Sequence, residues 1–250
     1  PKLCPVTLEL GGKNPNIILS DADLEIAIPG VIDGMRYTRQ GQACTAGSRV
    51  YIHEKIYDKV LDGAVKKLSK LKMGNALDEK SDIGAIISEE QLKRTLYYMD
   101  IAKKNSSTKI LHGGNQSKGG EYKDGFYYEP TLISGLPVSS PVCQEEVFGP
   151  VACAIPFKSF DEVMKSANDT QFGLSAVLWT KDLSRALQFV DEIEAGFVQV
   201  NQCVAPRANV SYGGIKMSGL GKEYAFDSMM NHFTQSKTIL INRGKSNIDV

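Results

Sequence analysis

Apolar residues follow two spacings along this chain, and the two take turns. Short runs alternate or are apolar throughout at strand length: "VTLEL" (6–10), "RVYIHE" (49–54), "VACAIPF" (151–157), "LSAVLWT" (174–180) and "FVQV" (197–200). Between them apolar residues recur every three or four positions. Ile56, Val60, Leu61, Val65, Leu68 and Leu71 predict a helix over 55–72, and "SEEQLKRTLYYMDIAKK" predicts another over 88–104. "SFDEVMKSAND" and "LSRALQFVDEIEAG" read as two more, the second closed by Gly196 as its C-cap. "SDADLEIAI" opens a helix capped by Ser20 or Asp21, with acids in the first turn. Pro29 lacks an N–H and crowds the preceding turn, so it is expected to kink or interrupt that helix before the pattern resumes at "VIDGMRY". "KILHGG" suggests a short strand, 113–125 a loop rich in Gly, Ser and Lys, and "FYYEPTLI" an extended run. A Gly-rich segment at 213–221 precedes a helix near 223–232. "QSKTILIN" (235–242) closes the pattern as a strand with no later partner in sequence.

Strands separated by helices of this length imply crossover connections. The expected class is therefore α/β, a mostly parallel twisted sheet flanked by helices. With 250 residues, 42% hydrophobic and 23% charged, the chain can bury one large core or two modest ones. Lys plus Arg equals Asp plus Glu at 29 each, so no global field draws nucleic acid or an anionic membrane. No apolar stretch approaches the ~20 residues of a membrane span. The chain opens at Pro1 close to a strand-like run, with no signal-peptide pattern, and is expected to be cut from a longer polypeptide. Five cysteines, an odd number without a C-x-x-C, point to a reducing compartment, the cytoplasm. His53, His112 and His232 are scattered away from metal spacing, so no metal site is expected. Four N-x-S/T triplets, at Asn105, Asn115, Asn168 and Asn209, read as chance matches.

Several segments carry candidate chemistry. "GGIKMSGLGKE" looks like a phosphate loop. A Walker-type loop, however, needs Lys where Leu220 stands, and a dinucleotide fingerprint needs Gly or Ala where Tyr224 stands. Cys44 sits among Gly41, Ala43, Thr45, Ala46, Gly47 and Ser48. That setting suits either a small buried hydrophobe or a thiol that a substrate must reach. Glu9 ends a strand-like run at Gly11 and Gly12, and in open α/β sheets ligand sites gather at the carboxyl ends of strands. "QEEVFGPV" places Glu145 and Glu146 before an aromatic residue and a Gly-Pro turn.

Taken together and in order, these segments resemble the aldehyde dehydrogenase superfamily. Its E-L-G-G-K motif reads Glu9-Leu10-Gly11-Gly12-Lys13, its G-Q-x-C motif Gly41-Gln42-Ala43-Cys44, and its E-x-F-G-P motif Glu146-Val147-Phe148-Gly149-Pro150. The late F-G-G-x-K-x-S-G motif reads Tyr212-Gly213-Gly214-Ile215-Lys216-Met217-Ser218-Gly219, with Tyr in place of Phe.

The resemblance implies oxidation of a small-molecule aldehyde to an acid with NAD or NADP. Cys44 would be the nucleophile, forming a thiohemiacetal and then a thioester, and Glu9 the general base that activates water. Glu146, Phe148 and Gly11 would contact the cofactor, while Tyr212 and Cys203 would line the substrate funnel. It also implies that residues 1–12 are a remnant of a nucleotide-binding domain and 13–212 the catalytic domain. Residues 213–233 would then be a return segment toward the missing domain, and 234–250 a C-terminal oligomerisation strand and tail that builds a homo-oligomer. Without that domain this piece is expected to transfer little hydride but to keep some esterase activity. A CoA-acylating relative would tend to lack Glu9. A non-catalytic binding or structural protein on the same fold would have no need of Glu9, Cys44 and Glu146 together.

Overall fold

The computed structural model describes residues 3–242. Its centre is a seven-stranded sheet. The strands are β2 (Pro15–Ile18), β3 (Arg49–His53), β4 (Lys109–His112), β5 (Thr131–Ser134), β6 (Val151–Phe157), β8 (Ser175–Trp179) and β9 (Phe197–Val200), in the spatial order β4-β5-β6-β3-β2-β8-β9. All neighbours run parallel except β4, which lies antiparallel to β5 at the edge. Two small ladders lie outside the sheet. β1 (Leu8–Glu9) pairs with β11 (Gly219–Leu220), and β7 (Phe172–Gly173) with β10 (Ile215–Lys216).

Successive residues on each strand feed opposite cores, as the two-residue period of a strand requires. Ile17, Tyr51, Ile133, Cys153 and Leu178 pack on one face; Ile18, Ile52, Leu132, Ala154 and Trp179 pack on the other. The first face is covered by α3 (Glu89–Lys104), α5 (Phe160–Asn168) and α6 (Leu183–Glu192), the second by α1 (Leu24–Gly34) and α2 (Tyr57–Leu68). Burial on both faces explains why these strands read as continuous apolar runs. Three helices start on the expected cap chemistry: the side chains of Ser88, Ser159 and Asp182 accept the first free N–H groups of α3, α5 and α6. A short helix, α4 (Pro141–Gln144), and a later one, α7 (Phe226–Phe233), complete the elements.

Several expectations are corrected. α1 is capped by Asp23, whose Oδ1 accepts from the Glu25 N–H at 3.0 Å, not by Ser20 or Asp21. Asp21 instead ties down the end of β8, accepting from Thr180 Oγ1 and from the N–H groups of Lys181 and Asp182. The helix also runs unbroken through Pro29. The proline would have bonded to the carbonyl of Glu25 in the first turn, and Glu25 is exposed, so water can meet that oxygen. α6 ends at Glu192, and Gly196 is not its cap. A Cβ at Gly196 would overlap the Gly213 carbonyl, so this glycine serves close backbone approach.

The helix expected over 55–72 is shorter, because a 3₁₀ turn (Glu54–Ile56) precedes α2 and the chain leaves the helix after Leu68. Only Leu8–Glu9 of the "VTLEL" run finds a ladder, while Val6, Leu8 and Leu10 remain exposed. Among the described residues, 234–241 carry no strand ladder, and Ile239, Leu240 and Ile241 are exposed. Positions 243–250 of the expected tail, and 1–2 of the expected remnant, lie outside the described residues.

Candidate active site

The four sequence motifs converge in space, and main-chain or short polar contacts join each to the next. The first and last are paired in register: Glu9 lies opposite Gly219 in the β1–β11 ladder, and the Leu10 N–H donates to the Ser218 carbonyl at 3.1 Å. The Gly12 N–H donates to Glu146 Oε1 at 2.9 Å and joins the first motif to the third. Side chains are excluded at both glycines. A Cβ on Gly11 would overlap the Glu146 carboxylate, and one on Gly12 would crowd the Cys44 carbonyl. Gly41, at φ +63°, lies so close to the Gly149 carbonyl that the second and third motifs also meet. A cavity of about 10 Å³ remains among Gly12, Gly41, Ala43, Glu146 and Phe148.

Asn14 fixes the cysteine loop. Its buried amide donates to the carbonyls of Cys44 (2.7 Å) and Ala46 (2.9 Å), and its Oδ1 accepts from the Ser175 N–H at 2.9 Å. Three polar groups that would otherwise be buried without partners are satisfied at once. Cys44 is thereby held half-buried just before β3, with its Sγ 3.4 Å from the Tyr212 hydroxyl. Tyr212 is itself fixed: its N–H donates to the Glu223 carbonyl at 3.0 Å, and its own carbonyl accepts the Glu223 N–H at 2.7 Å.

The carboxylate of Glu9 reaches the same neighbourhood. Its Oε1 lies 2.9 Å from where a Cβ on Gly213 would sit, and its charge acts on the Tyr212 phenol. The residue is exposed overall, yet burial of the carboxylate tip is the main cause that raises its pKa. Repulsion from Glu223 adds to the rise and attraction to Lys222 opposes it. Lys222 donates to the carbonyls of Gly213 and Gly214, both at 2.7 Å, and so closes the turn that carries Tyr212. Burial lowers the Lys222 pKa, and the Glu9 charge opposes that fall.

Glu145 and Glu146, adjacent in sequence, diverge. Glu145 accepts from the Tyr98 hydroxyl at 2.6 Å, while Glu146 turns to Gly12. Burial raises the Glu146 pKa, and the Gly12 hydrogen bond, Arg94 and Lys13 restrain the rise. Phe148 is half-buried at φ +55°, its carbonyl accepting from Gln91 Nε2 at 2.7 Å. Cys203 is placed apart from this group. Its sulfur lies against Gly34 at the end of α1, and it packs with the core on that face.

The site lies at the amino ends of β2, β3 and β6, before Pro15, Arg49 and Val151, and not at the carboxyl ends where open α/β sheets usually bind ligands. The loops entering these strands carry the motifs, and Asn14 clamps them together. Asn14 and Lys222 escaped the sequence reading. Asn14 directly follows Lys13 of the first motif, and Lys222 stands in "GLGKE", the segment set aside as a failed phosphate loop. A cavity of about 560 Å³ lies elsewhere, between the end of α2 and residues such as His112, Tyr122 and Glu129. Among the described residues no cluster of three or more His, Cys, Asp or Glu could hold a metal, and no helix is long and apolar enough to cross a membrane.

Residues 1–239 match the aldehyde dehydrogenase family. An aldehyde dehydrogenase of Rhodospirillum rubrum is 40% identical over 245 residues, which cover 96% of this chain and 48% of the relative. The NAD+ complex of aldehyde dehydrogenase from Bacillus cereus superposes with a TM-score of 0.86 at 37% identity, over 91% of this chain and 45% of that one. A betaine aldehyde dehydrogenase from Staphylococcus aureus, a point mutant in complex with NAD+, superposes with a TM-score of 0.89 at 36% identity, over 97% and 49%. The chain spans about half the length of the curated relatives it matches. With four motifs joined around one cysteine and a match that runs nearly end to end, this chain belongs to the aldehyde dehydrogenase family.

Proposed function

We propose that this chain carries the acyl-transfer centre of an NAD(P)-dependent aldehyde dehydrogenase that releases a free carboxylic acid. The observation that carries the reading is that Cys44 Sγ lies 3.4 Å from the Tyr212 hydroxyl while the Glu9 carboxylate lies against the adjoining Gly213. Cys44 attacks the aldehyde carbon, and its own main-chain N–H, at the mouth of a loop held by Asn14, helps to bind the oxyanion. When bound, NAD or NADP would supply the hydride acceptor. Glu146, seated over Gly11 and fixed by the Gly12 N–H, offers a carboxylate suited to ribose hydroxyls, with Phe148 beside it. Glu9 then takes a proton from water, whose oxygen attacks the thioester carbon; the C–S bond breaks, Cys44 leaves as the thiolate, and the acid is freed.

The presence of Glu9 favours hydrolysis over transfer to CoA. The substrate is a small-molecule aldehyde whose approach Tyr212 lines. Residues 13–212 form the catalytic domain, 3–12 and 213–233 face a nucleotide-binding domain, and the segment 234–242 pairs with a second copy. The exposed Ile239, Leu240 and Ile241 support this last assignment, since bare apolar edge segments otherwise invite association. All five cysteines are unpaired, which supports a reducing, cytoplasmic location.

The test uses a chromogenic ester, because ester hydrolysis needs Cys44 and Glu9 but no dinucleotide. Glu9→Gln should leave the initial burst intact and slow steady-state turnover by about 10²-fold or more, the usual contribution of a general base. Only ionised Glu9 is active, and its pKa is raised. The wild-type steady-state rate should therefore climb with pH through a midpoint above the ordinary glutamate value. Equal steady-state rates in the two proteins would remove Glu9 from the mechanism.

A further inference from the structure

Position 212 is where this chain departs from the late motif of its family, with Tyr for Phe, and the hydroxyl that distinguishes the two residues lies 3.4 Å from Cys44 Sγ. The residue is 5% exposed, and among the described residues Cys44 is the hydroxyl's only hydrogen-bond partner. Buried tyrosine hydroxyls are normally given a partner, and here the fold supplies a sulfur. The ring cannot drift. It packs edge-on against Phe197 (5.4 Å between centroids, 73°) and Tyr224 (5.7 Å, 78°), and its main chain is bonded on both sides to Glu223.

We propose that Tyr212 is a catalytic hydrogen-bond donor to the Cys44 thiolate: its hydroxyl stabilises the charge on sulfur and holds Sγ in one orientation, a function that phenylalanine cannot supply. This rests on the reading of Cys44 as nucleophile. The direction of the bond follows from the surroundings. Burial first, then the hydrogen bond to Cys44, then the nearby charge of Glu9 push the phenol far above its usual range. The phenol is therefore held protonated, and towards a thiolate it can only donate. The ionisable groups near the pair are Glu9 on β1 and Lys222, Glu223 and Tyr224 on the segment after β11. Of these Lys222 is the one cation, and its ammonium is turned to the carbonyls of Gly213 and Gly214. The phenol is thus the direct donor to the sulfur. Hydrogen bonds to an ionised partner are roughly twice as strong as neutral ones, so this bond is worth most when the sulfur carries charge.

The experiment is the pH dependence of alkylation of Cys44 by iodoacetamide, in which the thiolate displaces iodide from carbon. It is followed by intact mass and peptide mapping on the whole chain and on Tyr212→Phe, with Cys44→Ser as the control for labelling elsewhere. The substitution removes one oxygen and keeps the ring contacts, and equal thermal melts establish that the fold is unchanged. The rate–pH curve of Tyr212→Phe should move by about one pH unit to the alkaline side, making labelling about tenfold slower near neutral pH. A less stabilised thiolate is also intrinsically more nucleophilic, so the plateau at high pH should equal or exceed that of wild type and the curves should converge or cross. A purely structural role would lower the plateau and leave the midpoint in place. Superimposable midpoints with selective labelling of Cys44 in both proteins overturn the donor assignment and leave the nucleophile intact. Absence of selective labelling at Cys44 in wild type overturns both.

Discussion

Cys44→Ser should reduce hydrolysis of p-nitrophenyl esters to the buffer rate, a loss on the order of 10³-fold or more, as expected when a nucleophile is removed from a covalent mechanism. The alcohol is smaller than the thiol and far less acidic, so a hydrogen bond from Tyr212 cannot bring it to an ionised nucleophile. The fold should be untouched. The loop at residue 44 is held through main-chain carbonyls, those of Cys44 and Ala46 bonded by Asn14, and the side chain contributes only its contact with Tyr212. Circular dichroism and melting temperature should therefore match wild type, so the loss of turnover reports chemistry alone. Equal ester hydrolysis by the two proteins would dismiss the thiol as the nucleophile.

Arg49→Ala should give the largest loss of stability, about 3–5 kcal/mol. Arg49 begins β3 with no exposed surface. Its guanidinium donates to the carbonyls of Lys13 (2.8 Å), Ser166 (3.2 Å) and Ala167 (2.8 Å) and to the Tyr51 hydroxyl (3.1 Å). No carboxylate is among these partners, so the charge is held by dipoles, and burial lowers its pKa. Alanine would leave the carbonyls of Lys13 and Ala167 without their donor, with only Tyr51 left to meet that of Ser166, beside a hole the size of the lost side chain. For a domain of this size each kcal/mol lowers the melting temperature by roughly 2–4 °C, so a fall of about 10 °C is expected by calorimetry. The consequence reaches the site, because the bond from Arg49 Nε to the Lys13 carbonyl anchors the end of the first motif to β3. A melting temperature within a degree or two of wild type would show that the buried guanidinium contributes little.

The parts of the fold legible in the sequence are those where one kind of interaction dominates. β3, β6 and β8 are buried on both faces and announce themselves as apolar runs, as does the half-buried edge strand β9. α3, α5 and α6 announce themselves by their caps and spacing. β2, a central strand, was hidden because "NPN" reads as a turn. Pro15 is tolerated as its first residue, where no ladder bond is lost. Asn16 is accepted in the core because Trp179 Nε1 donates to its Oδ1 at 2.7 Å and its amide donates to the Gly30 carbonyl.

The same logic divides the site. Cys44, Glu9 and Glu146 lie in motifs whose residue types carry chemistry and could be read. Asn14 and Lys222 act through carbonyls that only the folded chain brings within reach, and no spacing in the sequence encodes those distances. The side of the sheet on which the site lies was equally invisible, since it depends on which ends of β2, β3 and β6 the loops embrace.

The central claim is that one sulfur and one carboxylate, far apart in sequence, serve one reaction. The most direct test is to mix the protein with p-nitrophenyl acetate, quench in acid within the burst, digest, and map the acetyl group by mass spectrometry in wild type and Glu9→Gln. The account predicts acetyl on Cys44 in both, brief in wild type and long-lived in the variant. Turnover with the acetyl group on another residue, or an adduct on Cys44 that decays equally fast in both proteins, would contradict it.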